Sequence, residues 1–256
     1  MKVTAATFSP TGNSRRYATE LARCFSPAVE EWDLSIPANR AQTVTFGPGE
    51  LVVLAAPVYG GRIPTIPGGI FTNLKGQKTP AIVLVTYGNR EYEDSLLELK
   101  NLAEENGFVV LGAGAFVGPH TFAPVAGAGR PDEADLAAVR ELAQNVQAVM
   151  GHTEGKTLDV PGNFPYKAEF VMPMKPSANE KCIRCGRCAR ECPVGAISPE
   201  EPQKTDPALC IDCFRCVRQC PVGARNIYSP PFAGIVSQLE AGLTRFAKPA
   251  AIFWMK

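Results

Sequence analysis

The stretch Phe8-Ser-Pro-Thr-Gly-Asn-Ser-Arg-Arg-Tyr-Ala18 follows a short apolar run, KVTAATFS at 2–9, and admits two readings. Ser, Thr and Asn are the usual N-cap residues, so Ser9-Pro10-Thr11-Gly12-Asn13-Ser14 starts a helix at the least. The same residues, placed between a strand and the first turn of a helix, also suit a phosphate: backbone amides and hydroxyls hold it where the helix dipole favours an anion. The sequence has no GxxxxGK[ST] loop, and no GxGxxG follows the first strand. A mononucleotide phosphate is therefore the ligand that remains on the second reading. Arg15 and Arg16 oppose the helix dipole by roughly a few tenths of a kcal/mol unless an anion lies nearby.

The pattern around this stretch is regular. KVTAATFS, LVVLAAPV (51–58), AIVLVTYG (81–88) and FVVLGAGAFV (108–117) have the length and β-branched content of strands buried on both faces. VEEWDLS (29–35) is shorter and more polar, suited to a sheet edge. Between them, 13–25, 92–107 and 132–150 carry apolar residues at three- and four-residue spacing, and the second ends in Asn-Gly as a helix stop should. Strands alternating with helices predict an α/β domain over 1–150 with a parallel sheet covered on both faces. Residues 151–179 break this rhythm with Gly and Pro and read as a linker wrapping over a surface. The tail, 230–256, holds one modest amphipathic helix and an apolar end with Phe253 and Trp254, which reads as docking on the body of the chain.

Of the 256 residues, 45% are apolar and the formal charge is +1, which describes a folded chain and gives no clustered cations for nucleic acid. The apolar runs are too short to span a bilayer. MKVTAATF lacks the basic and apolar regions of a secretory signal, so the expected location is cytoplasmic. In that setting nine cysteines read as metal ligands rather than disulfides.

Eight of them form a repeat. Cys182-x2-Cys185-x2-Cys188-x3-Cys192-Pro193 recurs as Cys210-x2-Cys213-x2-Cys216-x3-Cys220-Pro221, and the following Val-Gly-Ala recurs too. Structural zinc sites use pairs of CxxC and have no use for this rhythm. Residues 180–228 resemble the bacterial two-cluster ferredoxins, in which three closely spaced thiolates and one from the other repeat hold each cubane. The resemblance implies one 4Fe-4S cluster on Cys182, Cys185, Cys188 and Cys220, and a second on Cys210, Cys213, Cys216 and Cys192. Arg184, Arg187, Arg190, Arg215, Arg218 and Arg225 are interleaved with these cysteines. Solvated surface charge, a raised reduction potential, and a docking face for an acidic partner or the other domain are three readings of them that stand side by side.

A ferredoxin module takes electrons singly, so its natural companion is a centre that does the same, such as flavin. Here the opening stretch resembles the flavodoxin phosphate loop, Ser/Thr-x-Thr-Gly-Asn-Ser/Thr, through Ser9, Thr11, Gly12, Asn13 and Ser14. Two further loops resemble those that hold the isoalloxazine in flavodoxins: Ala56-Pro57-Val58-Tyr59-Gly60-Gly61-Arg62 and Thr86-Tyr87-Gly88-Asn89-Arg90-Glu91-Tyr92. The resemblance implies Tyr59 stacking on one flavin face and Tyr87 or Tyr92 on the other, with Gly60, Gly61, Gly88 and Asn89 letting the backbone approach. Arg62 and Arg90 depart from the acidic rim usual in flavodoxins. With GPHTF (118–122) and GRPDEADL (129–136), nearly the whole chain resembles the flavodoxin/ferredoxin fusion proteins of anaerobic bacteria and archaea.

That resemblance implies a flavodoxin-like, doubly wound, five-stranded parallel sheet followed by a small α+β two-cluster ferredoxin domain over 180–229. It implies FMN and two 4Fe-4S clusters as cofactors, redox proteins as partners, and electron relay as the function. Reduction of a small oxidant, or an empty flavodoxin-like docking domain, are the alternatives. His120 is open to the flavin edge, the ferredoxin domain or the surface, and Cys24 reads as a small core residue.

Overall fold

The computed structural model describes residues 1–154, 156–244 and 247–256. In chain order the α/β part contains β1 (Lys2–Thr7), α1 (Asn13–Arg23), β2 (Val29–Asp33), α2 (Pro37–Arg40), β3 (Val44–Phe46), β4 (Glu50–Pro57), β5 (Leu74–Gly76), β6 (Thr79–Tyr87), α3 (Ser95–Glu105), β7 (Phe108–Val117) and α4 (Glu133–Val149). The rest contains β8 (Ser177–Ala178), α5 (Arg187–Arg190), α6 (Arg215–Arg218), β9 (Arg225–Asn226), α7 (Pro230–Leu243) and β10 (Ala251–Trp254).

The main sheet runs β10-β7-β6-β4-β1-β2, and every pair is parallel except β10 with β7. Without β10 the order is that of the flavodoxin-like doubly wound fold, 2-1-3-4-5. Side chains are buried in unbroken runs along β4 and β6, which is what coverage of both sheet faces requires. The polar β2 lies at the edge, as its composition predicts. α1 turns Tyr17, Ala18, Leu21 and Ala22 inward, and the Tyr17 hydroxyl donates to the Val117 carbonyl at 2.6 Å. α4 sits down on β7 at Gly112, where a Cβ would meet Val146 at 2.5 Å.

The sheet has six strands where the sequence predicts five. Ala251–Trp254 pairs antiparallel with Gly112–Ala115 and covers the β7 edge, whose amides and carbonyls would otherwise face outward. Four residues after a Lys-Pro-Ala turn are too few to show a period, so only the partner strand reveals them.

Among the described residues from 151 to 176 there is no helix or strand, and Asn163, Tyr166 and Lys167 lie along the α/β domain. Asp94 accepts from the amides of Asn163 and Lys167 at 2.8 and 2.7 Å, and Asn101 donates to the Tyr166 hydroxyl at 2.8 Å. The small C-terminal part pairs β8 with β9 and has its own core of Met172, Phe214, Ile227 and Phe232, against which Phe122 of the α/β domain packs. Among the described residues no helix is long and apolar enough to cross a membrane.

Candidate functional site

The opening stretch turns at Gly12, which is the N-cap of α1 with φ +93° and makes no side-chain cap bond. Ser9 reaches over instead: its Oγ accepts from the Arg15 amide at 3.0 Å, and its own amide donates to Ser35 Oγ at 2.8 Å. Among the described residues nothing accepts from the amides of Thr11, Asn13 or Ser14. These three donors at the start of an eleven-residue helix are the kind of group an anion satisfies. Ser14 Oγ shares a 2.6 Å hydrogen bond with Thr86 Oγ1, and Asn13 Nδ2 donates to the Pro119 carbonyl at 3.3 Å, so both side chains tie the loop to its neighbours. Arg15 lies 3.9 Å from Glu31, which supplies the anion its position on the helix asks for.

The three predicted loops meet in one cleft at the carboxyl ends of β1, β4 and β6. Ser9, Thr11, Asn13 and Ser14 come from the first, Pro57, Val58 and Tyr59 from the second, and Tyr87 and Gly88 from the third. Gly118, Pro119 and Thr121, after β7, complete the wall. A second cavity adjoins it, lined by Val58, Tyr59, Gly60, Gly88 and His120 on one side and by Phe170, Met172, Ile211 and Asp212 on the other. Gly60 and Gly61, at φ +61° and +90°, form the tight turn in which Tyr59 and Arg62 exchange backbone hydrogen bonds.

Other expected residues lie away from the cleft. Gly61 backs onto Glu93. Asn89 is buried at φ +61°, with Nδ2 donating to the Leu243 carbonyl at 2.7 Å and Oδ1 accepting from the Lys248 amide at 3.0 Å. It fastens the C-terminal tail. Arg90 pairs with Glu93 at 3.2 Å, and Tyr92 packs its ring 5.5 Å from that of Tyr87. Arg62 grips Glu98 through two bonds of 2.7 and 2.6 Å and donates to the Lys167 carbonyl. The two loop arginines are thus paired with carboxylates, Arg62 in a largely covered setting and Arg90 at the surface. Cys24 is half-buried against the core, its thiol directed at the Glu20 carbonyl.

His120 stands where the two parts of the chain meet. Its Nδ1 accepts from the amides of Phe122 and Ala123 at 3.2 and 3.3 Å, which assigns the proton to Nε2. Burial, then the charges of Arg90 and Arg218, push its pKa down to about 4. Gly88 must be a glycine here, because a Cβ would come within 2.7 Å of the His120 Cα.

The cysteines gather in two groups of four. Cys182, Cys185, Cys188 and Cys220 surround one cavity, and Cys192, Cys210, Cys213 and Cys216 another. Among the described residues no three metal-binding side chains close on a point as the ligands of a single ion do. The repeated Pro-Val-Gly-Ala has a local reason. Gly195 and Gly223 take φ +67° and +60°, and each turn aims an alanine amide at the preceding cysteine: Ala196 to Cys192 Sγ at 3.3 Å, Ala224 to Cys220 Sγ at 3.2 Å. Although burial pushes the Cys220 thiol up, the amides of Val222, Ala224, Arg225 and Gly223 hold it below its ordinary value. In the other group burial dominates and pushes Cys210 up to about 11.

The arginines divide by position. Arg215 pairs with Glu191 at 2.6 Å and donates to the Pro10 carbonyl of the opening stretch at 3.3 Å; Arg218 donates to the His120 carbonyl at 3.2 Å. Arg184, Arg187 and Arg190 are exposed around the first cysteine group, and Arg225 is buried. The sequence reading missed Arg40, whose guanidinium donates to the Pro193 carbonyl at 2.5 Å, and Ile211 and Asp212, hidden inside a CxxC spacing. Nothing local signals them, since each acts on a residue far away in the chain.

The protein family described as the 4Fe-4S dicluster domain matches residues 181–224. A ferredoxin of Rickettsia felis is 42% identical over 38 residues, 15% of this chain and 32% of that protein. Subunit I of the NADH-quinone oxidoreductase of Acinetobacter baylyi is 39% identical over 41 residues, 16% of this chain and 23% of that one. The matches thus span about a quarter to a third of these relatives. Among solved structures, a flavodoxin from the domain Archaea aligns over 59% of this chain and 100% of its own, at 13% identity and a TM-score of 0.40. A flavodoxin-like domain from Synechococcus sp. aligns over 59% and 99%, at 19% identity and a TM-score of 0.37. It is the strand order, rather than these likenesses, that carries the topology of the first domain. The chain therefore joins an α/β domain whose strand order is that of the flavodoxin-like doubly wound fold to a segment, 181–224, that matches the 4Fe-4S dicluster domain.

Proposed function

We propose that the chain is an electron-transfer flavoprotein that relays single electrons between two 4Fe-4S clusters and FMN. One cluster is held by Cys182, Cys185, Cys188 and Cys220, the other by Cys192, Cys210, Cys213 and Cys216; eight thiolates in two separate groups suit two cubanes. FMN belongs in the cleft of the three loops, its phosphate on the amides of Thr11, Asn13 and Ser14 and its ring beside Tyr59, Tyr87 and Gly88. When bound, a flavin exchanges electrons singly with iron-sulfur centres and in pairs with other donors. His120 keeps a neutral ring at the cavity between the sites, where Phe122 packs beside it.

One observation carries this reading. The cavity next to the cleft is closed by Ile211 and Asp212, which sit between the ligands Cys210 and Cys213. Tyr59 belongs to both cavities, and its phenol is pushed well above its ordinary pKa by burial and then by Cys213. The second cysteine group is therefore the one next to the flavin site, and the first is the outer one, with Cys185 exposed. Protein purified without oxygen and then denatured releases about one FMN with about eight iron and eight sulfide. Full iron with no flavin, even after added FMN, would sink the proposal.

A second reading, reduction of a small oxidant, draws on an open cleft lined by Tyr59, Phe170, Leu209 and Ile211, which lies beside the flavin site. Saturable turnover with oxygen, quinones or nitro compounds would favour it over a pure relay.

A further inference from the structure

The two halves of the cysteine repeat differ at one buried position. Cys192-Pro-Val-Gly-Ala is followed by Ile197, and Cys220-Pro-Val-Gly-Ala by Arg225. Both side chains are inside the protein, Ile197 at 4% exposure and Arg225 at 3%. The fold therefore accepts an apolar side chain at this point of the repeat, yet in the second half it buries a permanent cation.

Arg225 is held but not neutralised by the protein around it. Its guanidinium donates to the carbonyls of Pro176, at 3.0 Å, and Pro202, and to the Thr205 hydroxyl. These groups are dipoles. Among the described residues it has no carboxylate partner, and its Nε is buried without any hydrogen bond. A buried charge with only dipoles around it is poorly compensated, which makes a facing anion stabilising. The candidates are thiolates. Nη1 lies 3.8 Å from Cys188 Sγ, in the outer group, and Arg225 lines that group's cavity. It also abuts the inner group: Pro176 and Thr205, which its guanidinium holds, line the cavity of Cys192, Cys210, Cys213 and Cys216. One cation thus stands between the two cluster sites.

We propose that Arg225 is a charged bridge between the two cluster sites, and that its charge raises the reduction potential of both. The inference rests on the two-cluster reading above. Each four-thiolate cubane carries a formal charge of about −2 when oxidised and gains one more negative charge on reduction, so a fixed cation at the thiolates favours the reduced form. Because Arg225 stays protonated, the electron added is not accompanied by a proton at this side chain. It is a positioning residue in the electrostatic sense, acting on the clusters through their ligands.

The test uses the full-length protein purified without oxygen, with iron and sulfide counted before any potential is read. Wild-type protein without about eight irons would overturn the two-cluster reading itself, a failure separate from that of Arg225. In variants with a full iron count, redox titration followed by electron paramagnetic resonance should show both midpoint potentials falling in Arg225→Ile, which installs the side chain of the matching repeat position, and in Arg225→Gln. Arg225→Lys should keep both near wild type. Unchanged potentials in the uncharged variants, or a shift confined to one cluster, would overturn the bridge. If Ile and Gln fail to assemble clusters while Lys succeeds, the charge is what the site requires; if all three fail alike, the hydrogen-bond web alone explains Arg225 and the proposal falls.

Discussion

A single ring at the meeting of the two domains carries a pH signature. His120 accepts two amide hydrogen bonds at Nδ1 and faces Arg90 and Arg218, so protonating it would bury a cation among cations. Its folded pKa of about 4 lies below the ordinary 6.5. Its neutral form therefore contributes stability that is complete above pH 6.5 and is lost as the pH falls toward 4, on the order of 3 kcal/mol at most. The chain has two histidines, so with His152→Gln the remaining imidazole resonance belongs to His120. We expect it to stay that of a neutral ring down to pH 5; titration near pH 6.5 would mean that the ring is open to solvent and the cavity wall is misplaced. From GPHTF the ring was open to the flavin edge, the ferredoxin domain or the surface, and neither its place nor its neutrality was readable, because Arg218 arrives from 98 positions away.

Elements with a period were legible, and those defined by a partner were not. β1, β4, β6 and β7 announce themselves as apolar runs, and α1, α3 and α4 by their spacing. β8 and β9 have two residues each and exist only as a pair. β10 is four residues whose strand character comes from the edge of β7. The same logic explains Asn89. An Asn after Gly88 reads as a flexible loop residue near a ligand, but its side chain holds Leu243 and Lys248, which bring the tail to that edge. Replacing it with Ala removes one buried and one part-buried hydrogen bond and puts a residue less tolerant than Asn at φ +61°, a loss of about 2 kcal/mol. Thermal unfolding of Asn89→Ala should show an earlier transition with flavin content unchanged. Selective loss of flavin at full stability would return Asn89 to the flavin loop.

The two domains are joined by more than the covalent link. Arg40, Arg215 and Arg218 each donate to a backbone carbonyl across the boundary, at Pro193, Pro10 and His120. Phe122 completes an aromatic cluster with Phe214 and Phe232, its ring 5.0 and 5.6 Å from theirs. A boundary fixed by directional bonds and interlocked rings holds the cysteine group around Cys210 and Cys213 beside the loop cleft, so the proposed relay would need no encounter between molecules. Rapid mixing of the oxidised holoprotein with a one-electron reductant tests this directly, with cluster and flavin absorbance followed over a dilution series. The account predicts that the clusters bleach first and the flavin follows with a rate constant independent of protein concentration. A flavin phase that slows in proportion to dilution, or a flavin that stays oxidised beside reduced clusters, would contradict it.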